Sequence, residues 1–229
     1  PLRHRLIVWA VYLFWGASFC FSERLWLRFG AMCGGAFGRF HPRSKQLKQR
    51  LGLLKFNGTI SVSHLWSDLG RRVFEAIRLR RTSRRFELSD EAQALFESLE
   101  ARQKGALIVS AHFGHWEAMG VALNRRGFEF SVVSTQGKRD AVNGLIKASR
   151  AAMGLSVIDR PDAARFIVDE LRQSKNVALF VDVPAKRRGV ELDFLGRSVR
   201  RSTVLNRLAR LSEPSAVFVF NQRKATGVY

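Results

Sequence analysis

The chain has 229 residues, 46% of them hydrophobic, and a formal charge of +20 from 39 basic and 19 acidic side chains. That much apolar material excludes a disordered chain and can fill a sizeable core, while the length fits one domain or one domain with an appendage. The two cysteines, Cys20 and Cys33, lack C-x-x-C spacing and neighbouring histidines, which argues against a disulfide framework and a cysteine-based zinc site.

The charge is uneven along the chain. Residues 1–85 carry 17 basic and 3 acidic side chains, residues 86–182 carry 12 and 13, and residues 183–229 carry 10 and 3. Basic ends around a near-neutral middle suit an anionic partner, either nucleic acid or an anionic membrane surface. No zinc-finger, RNP or other nucleic-acid motif is present. The N-terminus favours the membrane. Leu6 to Ser22 is 17 residues without a charge and includes Trp9, Tyr12, Phe14, Trp15, Phe19 and Phe21, with Arg3 and Arg5 before it and Arg24 and Arg28 after. This length is at the short limit for a spanning helix, and the aromatic content suits a bilayer interface. A signal peptide and a buried core helix are the rival readings, although no small-residue cleavage site followed by a polar start is visible. Residues 1–33 are therefore read as an N-terminal apolar membrane anchor. The start at Pro1 and the end on an apolar run read as a fragment of a longer chain.

Residues 34–105 read as a basic helical region. Gly34-Gly35, Gly38 and His41-Pro42, with lysines and arginines up to Asn57, predict a loop-rich connection. Ser63 to Arg85 predicts a helix with an imperfect apolar stripe of Leu65, Leu69, Val73, Phe74, Ile77 and Leu79. Arg71, Arg72, Arg78, Arg80, Arg81, Arg84 and Arg85 crowd its other faces, which fits an amphipathic helix on anionic headgroups. Ser89-Asp90-Glu91 then predicts a helix start, continuing through Leu95, Phe96 and Leu99.

Residues 106–229 form the expected catalytic core. Apolar runs at 106–111, 130–135, 155–158, 177–181 and 216–220 alternate with helical stretches near 117–125, 141–153, 163–173 and 203–211. Alternation of this kind predicts an α/β fold with a mostly buried mixed sheet flanked by helices.

The densest chemistry is Ser110-Ala111-His112-Phe113-Gly114-His115-Trp116-Glu117, where the first strand ends and a helix begins. Ligands of open α/β sheets collect beyond the carboxyl ends of the strands, and a helix start offers N–H groups to an anion. His112 leaves the strand and Glu117 lies on the first helical turn, so the carboxylate could orient the imidazole as the base half of a triad. No G-x-S-x-G elbow surrounds Ser110, and the simplest use of a base without a protein nucleophile is to deprotonate a substrate hydroxyl that attacks an acyl carbonyl. Two other uses stay open: histidines that only cap a loop, and a metal held by His112, His115 and Glu117, which no H-E-x-x-H spacing supports.

His112-Phe113-Gly114-His115-Trp116-Glu117 is an H-x4-E motif, and with the strand before it and the apolar N-terminus it resembles the lauroyl/myristoyl acyltransferases of bacterial lipid A biosynthesis, in the lysophospholipid acyltransferase superfamily. The resemblance runs from the N-terminus through Gly70-Arg71-Arg72-Val73-Phe74-Glu75 to the last strand. It implies His112 as general base, Glu117 as its partner, and Arg150 and Asp182 as substrate-binding groups. It also implies an acyl carrier protein or acyl-CoA donor, an anionic glycolipid acceptor, no cofactor beyond the thioester co-substrate, no nucleic-acid partner, and the cytoplasmic face of the inner membrane. Asp193-Phe194-Leu195-Gly196 resembles the family's P-F-F-G. The chain departs from the family where His115 replaces Asn and Val183 replaces Gln, where Arg200 to Leu205 stands in place of T-P-x-G-P-A, and in the basic run Pro184 to Gly189. These departures leave open a glycerophospholipid or mannosylated-lipid acceptor, and a non-catalytic lipid-binding relative.

Overall fold

A computed structural model describes residues 16–53, 60–133, 150–151, 154–158, 163–185, 189–212 and 215–223. It divides into two compact units near Arg85 and Phe86.

The first unit is helical. Helix α1 spans Glu23–Phe40, capped by the Ser22 side chain on the Leu25 N–H; α2 spans Arg43–Gly52; α3 spans Val62–Ile77, capped by Ser61 on His64. A short α4 (Leu79–Thr82) and a 3₁₀ turn (Ser83–Arg85) follow. The segment expected to be a loop after Gly34 is helical instead. Its glycines recur every four residues and form one face of α1, where Gly30, Gly34 and Gly38 lie directly against Gly70, Trp66 and Phe74 of α3. A small-residue stripe lets two backbones approach to a distance that side chains would forbid. Trp26 and Leu27 of α1 are buried with Phe74, and the Trp26 indole donates to the Phe74 carbonyl at 2.9 Å. Helix α1 thus crosses the boundary expected at residue 33.

Most of the apolar run from Leu6 to Ser22 lies outside the described residues, and no described helix is long and apolar enough to cross a membrane. The arginine-rich face also needs correcting. Arg78 breaks the helix and is buried, donating to the Phe21 carbonyl at 3.1 Å and lying over the Trp26 ring at 4.8 Å. Arg72 is paired with Asp68 and Arg85 with Glu23. Of the expected apolar stripe, Phe74 and Leu79 are buried, while Leu69 and Val73 stay exposed.

The second unit opens with α5 (Asp90–Ala101), capped by Ser89, and is built on five strands: β1 Ala106–Ser110, β2 Ser131–Val133, β3 Ser156–Ile158, β4 Val177–Phe180 and β7 Ser215–Phe218. Helices α6 (Trp116–Asn124), α7 (Ala163–Arg172) and α8 (Val204–Ser212) lie between them in sequence. The strand order is β3-β2-β4-β1-β7, and every described pairing is parallel, where a mixed sheet was expected. Parallel strands need crossovers and sit covered on both faces, which is why all five residues of the interior strand β1 are buried. Leu107 and Val109 pack with Val177 and Leu179 against Ile167, Val168 and Leu171 of α7 and Leu208 of α8. The expected helix at 141–153 falls outside the described residues except for helical Arg150 and Ala151, and Lys186 to Arg188 also falls outside them.

A separate two-stranded hairpin joins β5 (Val190–Phe194) to β6 (Arg197–Arg201), which sequence reading did not anticipate. Leu195 and Gly196 form its turn with φ of 53° and 75°, the positive values that a two-residue hairpin turn demands.

Candidate active site

Strand β1 ends between β4 and β7, and the ladder continues past its last residues. Val181 N–H donates to the Ser110 carbonyl at 3.0 Å, and Val219 N–H donates to the Val109 carbonyl at 2.9 Å. Ser110 is buried and its hydroxyl donates to the Val219 carbonyl at 2.8 Å, so it belongs to the frame of the sheet. The chain then turns sharply: Phe113 N–H reaches the Ala111 carbonyl at 2.7 Å, and Gly114 adopts φ +61°. An L-residue is strained in that region, and here it would also lack space. Helix α6 starts immediately after, with buried His115 as its N-cap and its Nδ1 accepting from Ala118 N–H at 3.4 Å.

The parallel register decides what His112 meets. Ser110 lies opposite Phe180, so His112, two residues further on, comes out opposite Asp182. Its Nδ1 is 2.9 Å from Asp182 Oδ1, and its backbone N–H donates to Oδ2 at 3.1 Å. One carboxylate thus holds both the ring and the main chain. The imidazole packs on Phe180 at 4.7 Å between centroids and meets Trp116 edge-on at 6.0 Å. About half of the His112 side chain remains open to solvent (51%), the state needed in a base that must reach a substrate.

Burial alone would raise the Asp182 carboxyl, but the bonds from the His112 ring and backbone, with the charge of the imidazolium, outweigh it and hold the carboxyl below its ordinary 3.8. A depressed carboxylate contributes stability above the unfolded-state value and loses it as pH falls through the lower folded-state value. The difference in urea midpoint between wild type and Asp182→Asn is therefore expected to shrink as pH falls below 3.8. A difference that grew below that pH would contradict the pairing.

Glu117, expected beside His112, has a different partner. Its Oε1 accepts from Arg150 Nε at 3.1 Å and Nη2 at 2.8 Å, with both side chains largely buried. The guanidinium also lies over the Trp116 ring at 4.9 Å. The correction has a simple cause: the end of the neighbouring strand already supplies a carboxylate to the imidazole, while a partly buried guanidinium faces the first turn of α6. All four expected residues are therefore brought together, as two pairs separated by Trp116. The metal set His112, His115 and Glu117 does not assemble, because each side chain is committed in a different direction. Among the described residues no group of three or more His, Cys, Asp or Glu could hold a metal ion. Sequence reading missed Asn221, which enters beneath the same turn from the end of β7.

A histidine–carboxylate pair at the carboxyl edge of a parallel sheet, beside a helix start, lies where ligands of open α/β sheets collect. A family model described as bacterial lipid A biosynthesis acyltransferase matches residues 2–229, and the chain belongs to that family. Membership makes it an acyltransferase. A comparison with curated proteins gives no match.

Proposed function

We propose that the protein transfers a fatty acyl chain from an acyl thioester, carried by acyl carrier protein or coenzyme A, to a hydroxyl of a lipid A precursor or related anionic glycolipid. The observation that carries this reading is the His112–Asp182 pair at 2.9 Å, beside the start of α6, in a chain of this family. With Nδ1–H donated to the carboxylate, the tautomer leaves the lone pair on Nε2. Nε2 takes the proton from the acceptor hydroxyl as its oxygen attacks the thioester carbonyl. The C–S bond then breaks, and the imidazolium returns its proton to the departing thiolate, so no oxidant, reductant or metal enters the balance. N–H groups opening α6 face the developing oxyanion, and Arg150, held by Glu117 over Trp116, adds positive charge beside it.

Action at the cytoplasmic face of the inner membrane is supported by the basic flanks, which suit phosphorylated headgroups and an acidic carrier. It is also supported by the exposed Leu25, Phe29, Met32, Phe37 and Phe40 of α1. The test is incubation of the detergent-solubilised chain with acyl carrier protein and coenzyme A thioesters and extracted bacterial glycolipids, followed by mass spectrometry of the lipids. A glycolipid gaining one acyl mass is expected. Gain on a glycerophospholipid alone would replace the acceptor, and no gain on any lipid by folded protein would overturn the reading.

A further inference from the structure

Two side chains from the flanking strands hold the loop that carries His112. Asp182, after β4, takes the His112 N–H. The second is Asn221, after β7. Val109 lies opposite Phe218, so the same register that sets Asp182 on one side of His112 sets Asn221 on the other. The Asn221 side chain is buried at 7% exposure, and its Oδ1 accepts the His115 N–H at 2.8 Å. Its Nδ2 donates to the Phe113 carbonyl at 3.4 Å and lies 3.6 Å from Met119 Sδ in α6. Between those two main-chain anchors sits Gly114, where a Cβ would fall 2.1 Å from Asn221 Oδ1. The carboxamide therefore fills the space that a side chain at 114 would need. It ties together both ends of the turn and the first turn of the helix.

We propose that Asn221 is a positioning residue whose carboxamide locks the Phe113–His115 turn, fixing the His112 imidazole and the amino end of α6 in one geometry toward the reacting carbonyl. This rests on the acyl-transfer reading above. Both groups must act on the same tetrahedral centre, and a displacement of about 1 Å in such a pair costs roughly 10²-fold in rate. Substrate contacts elsewhere are untouched, so the effect falls on kcat.

The experiment compares Asn221→Leu, which keeps the branched shape without hydrogen bonds, with Asn221→Asp, which keeps the acceptor for His115. Asn176→Leu is the control. Asn176 makes an equivalent pair of main-chain bonds, from Ala106 N–H at 3.0 Å and to the Glu129 carbonyl at 2.9 Å, at the opposite end of β1. Asn221→Leu is expected to lower kcat about 10–100-fold with KM within about twofold, and to speed amide exchange at His115 at least about tenfold. Asn221→Asp should restore most of the His115 protection. Asn176→Leu should lower the melting temperature while leaving kcat unchanged well below it. Unchanged kcat, unchanged His115 exchange, or an equal loss of kcat in Asn176→Leu would each overturn the proposal. If the wild-type chain transfers no acyl group, the acyl-transfer reading fails on its own, and His115 exchange still decides whether Asn221 locks the turn.

Discussion

Replacing His112 with alanine is expected to reduce acyl transfer about 10³–10⁴-fold, and Asp182→Asn about 10²–10⁴-fold, with the double variant no slower than His112→Ala alone. The single losses follow from different causes. Without the imidazole, the acceptor hydroxyl keeps its proton. With asparagine at 182, an amide N–H can face Nδ1, which then serves as acceptor and leaves the proton on Nε2, where the lone pair is needed. Because Asp182 acts only through His112, the two effects do not multiply. Glu117→Gln separates this arrangement from one in which Glu117 orients the base. It should couple with Arg150→Lys, the partner of its 2.8 Å bond, and combine additively with Asp182→Asn. The readout is single-turnover transfer at saturating donor. His112→Ala within tenfold of wild type would remove the base from the mechanism, and strong coupling between Glu117 and His112 would reassign the orienting carboxylate.

The pairing of His112 with Asp182 was not legible in the chain because it depends on strand order. A signal was present: a polar residue stands immediately after each of two apolar runs, His112 after 106–111 and Asp182 after 177–181. They meet only if those runs are parallel neighbours, which β4-β1-β7 makes true for the residues after β7 as well. The strands themselves were legible, since a strand covered on both faces reads as a continuous apolar run. The hairpin at 190–201 was not, because its turn uses Leu195-Gly196 in place of the usual Asn-Gly, and its exposed strands bury little. Helix α1 was hidden for the opposite reason. Glycine is weak in helices when nothing packs on it, so Gly34, Gly35 and Gly38 read as a loop. Their value lies in contact with α3, a tertiary effect that outweighs propensity.

That contact gives the largest expected effect on folding. Gly34→Ala and Gly70→Ala should each destabilise the helical unit by about 3 kcal/mol or more, and Gly34→Val should leave it unfolded. A Cβ on Gly34 would lie 2.2 Å from the Trp66 carbonyl and 2.9 Å from the Gly70 backbone, and one on Gly70 would lie 2.1 Å from the Gly30 carbonyl. These neighbours are helix backbone and cannot rotate aside, so the helices must separate. Separation would loosen Trp26 and Leu27 from Phe74 and break the indole bond to the Phe74 carbonyl. Helix propensity alone predicts the reverse sign, a gain of about 0.5–1 kcal/mol for glycine to alanine inside a helix. Gly52, at the end of α2 with nothing within 4 Å of its Cβ position, supplies the comparison, and Gly52→Ala should be neutral or slightly stabilising. Urea unfolding followed by tryptophan fluorescence measures both. If Gly34→Ala proved as stable as Gly52→Ala, the close crossing of α1 and α3 would be wrong. If it fell by several kcal/mol, the glycines would be fixed by the neighbouring backbone, and the apolar and basic faces of this unit would depend on them for their arrangement.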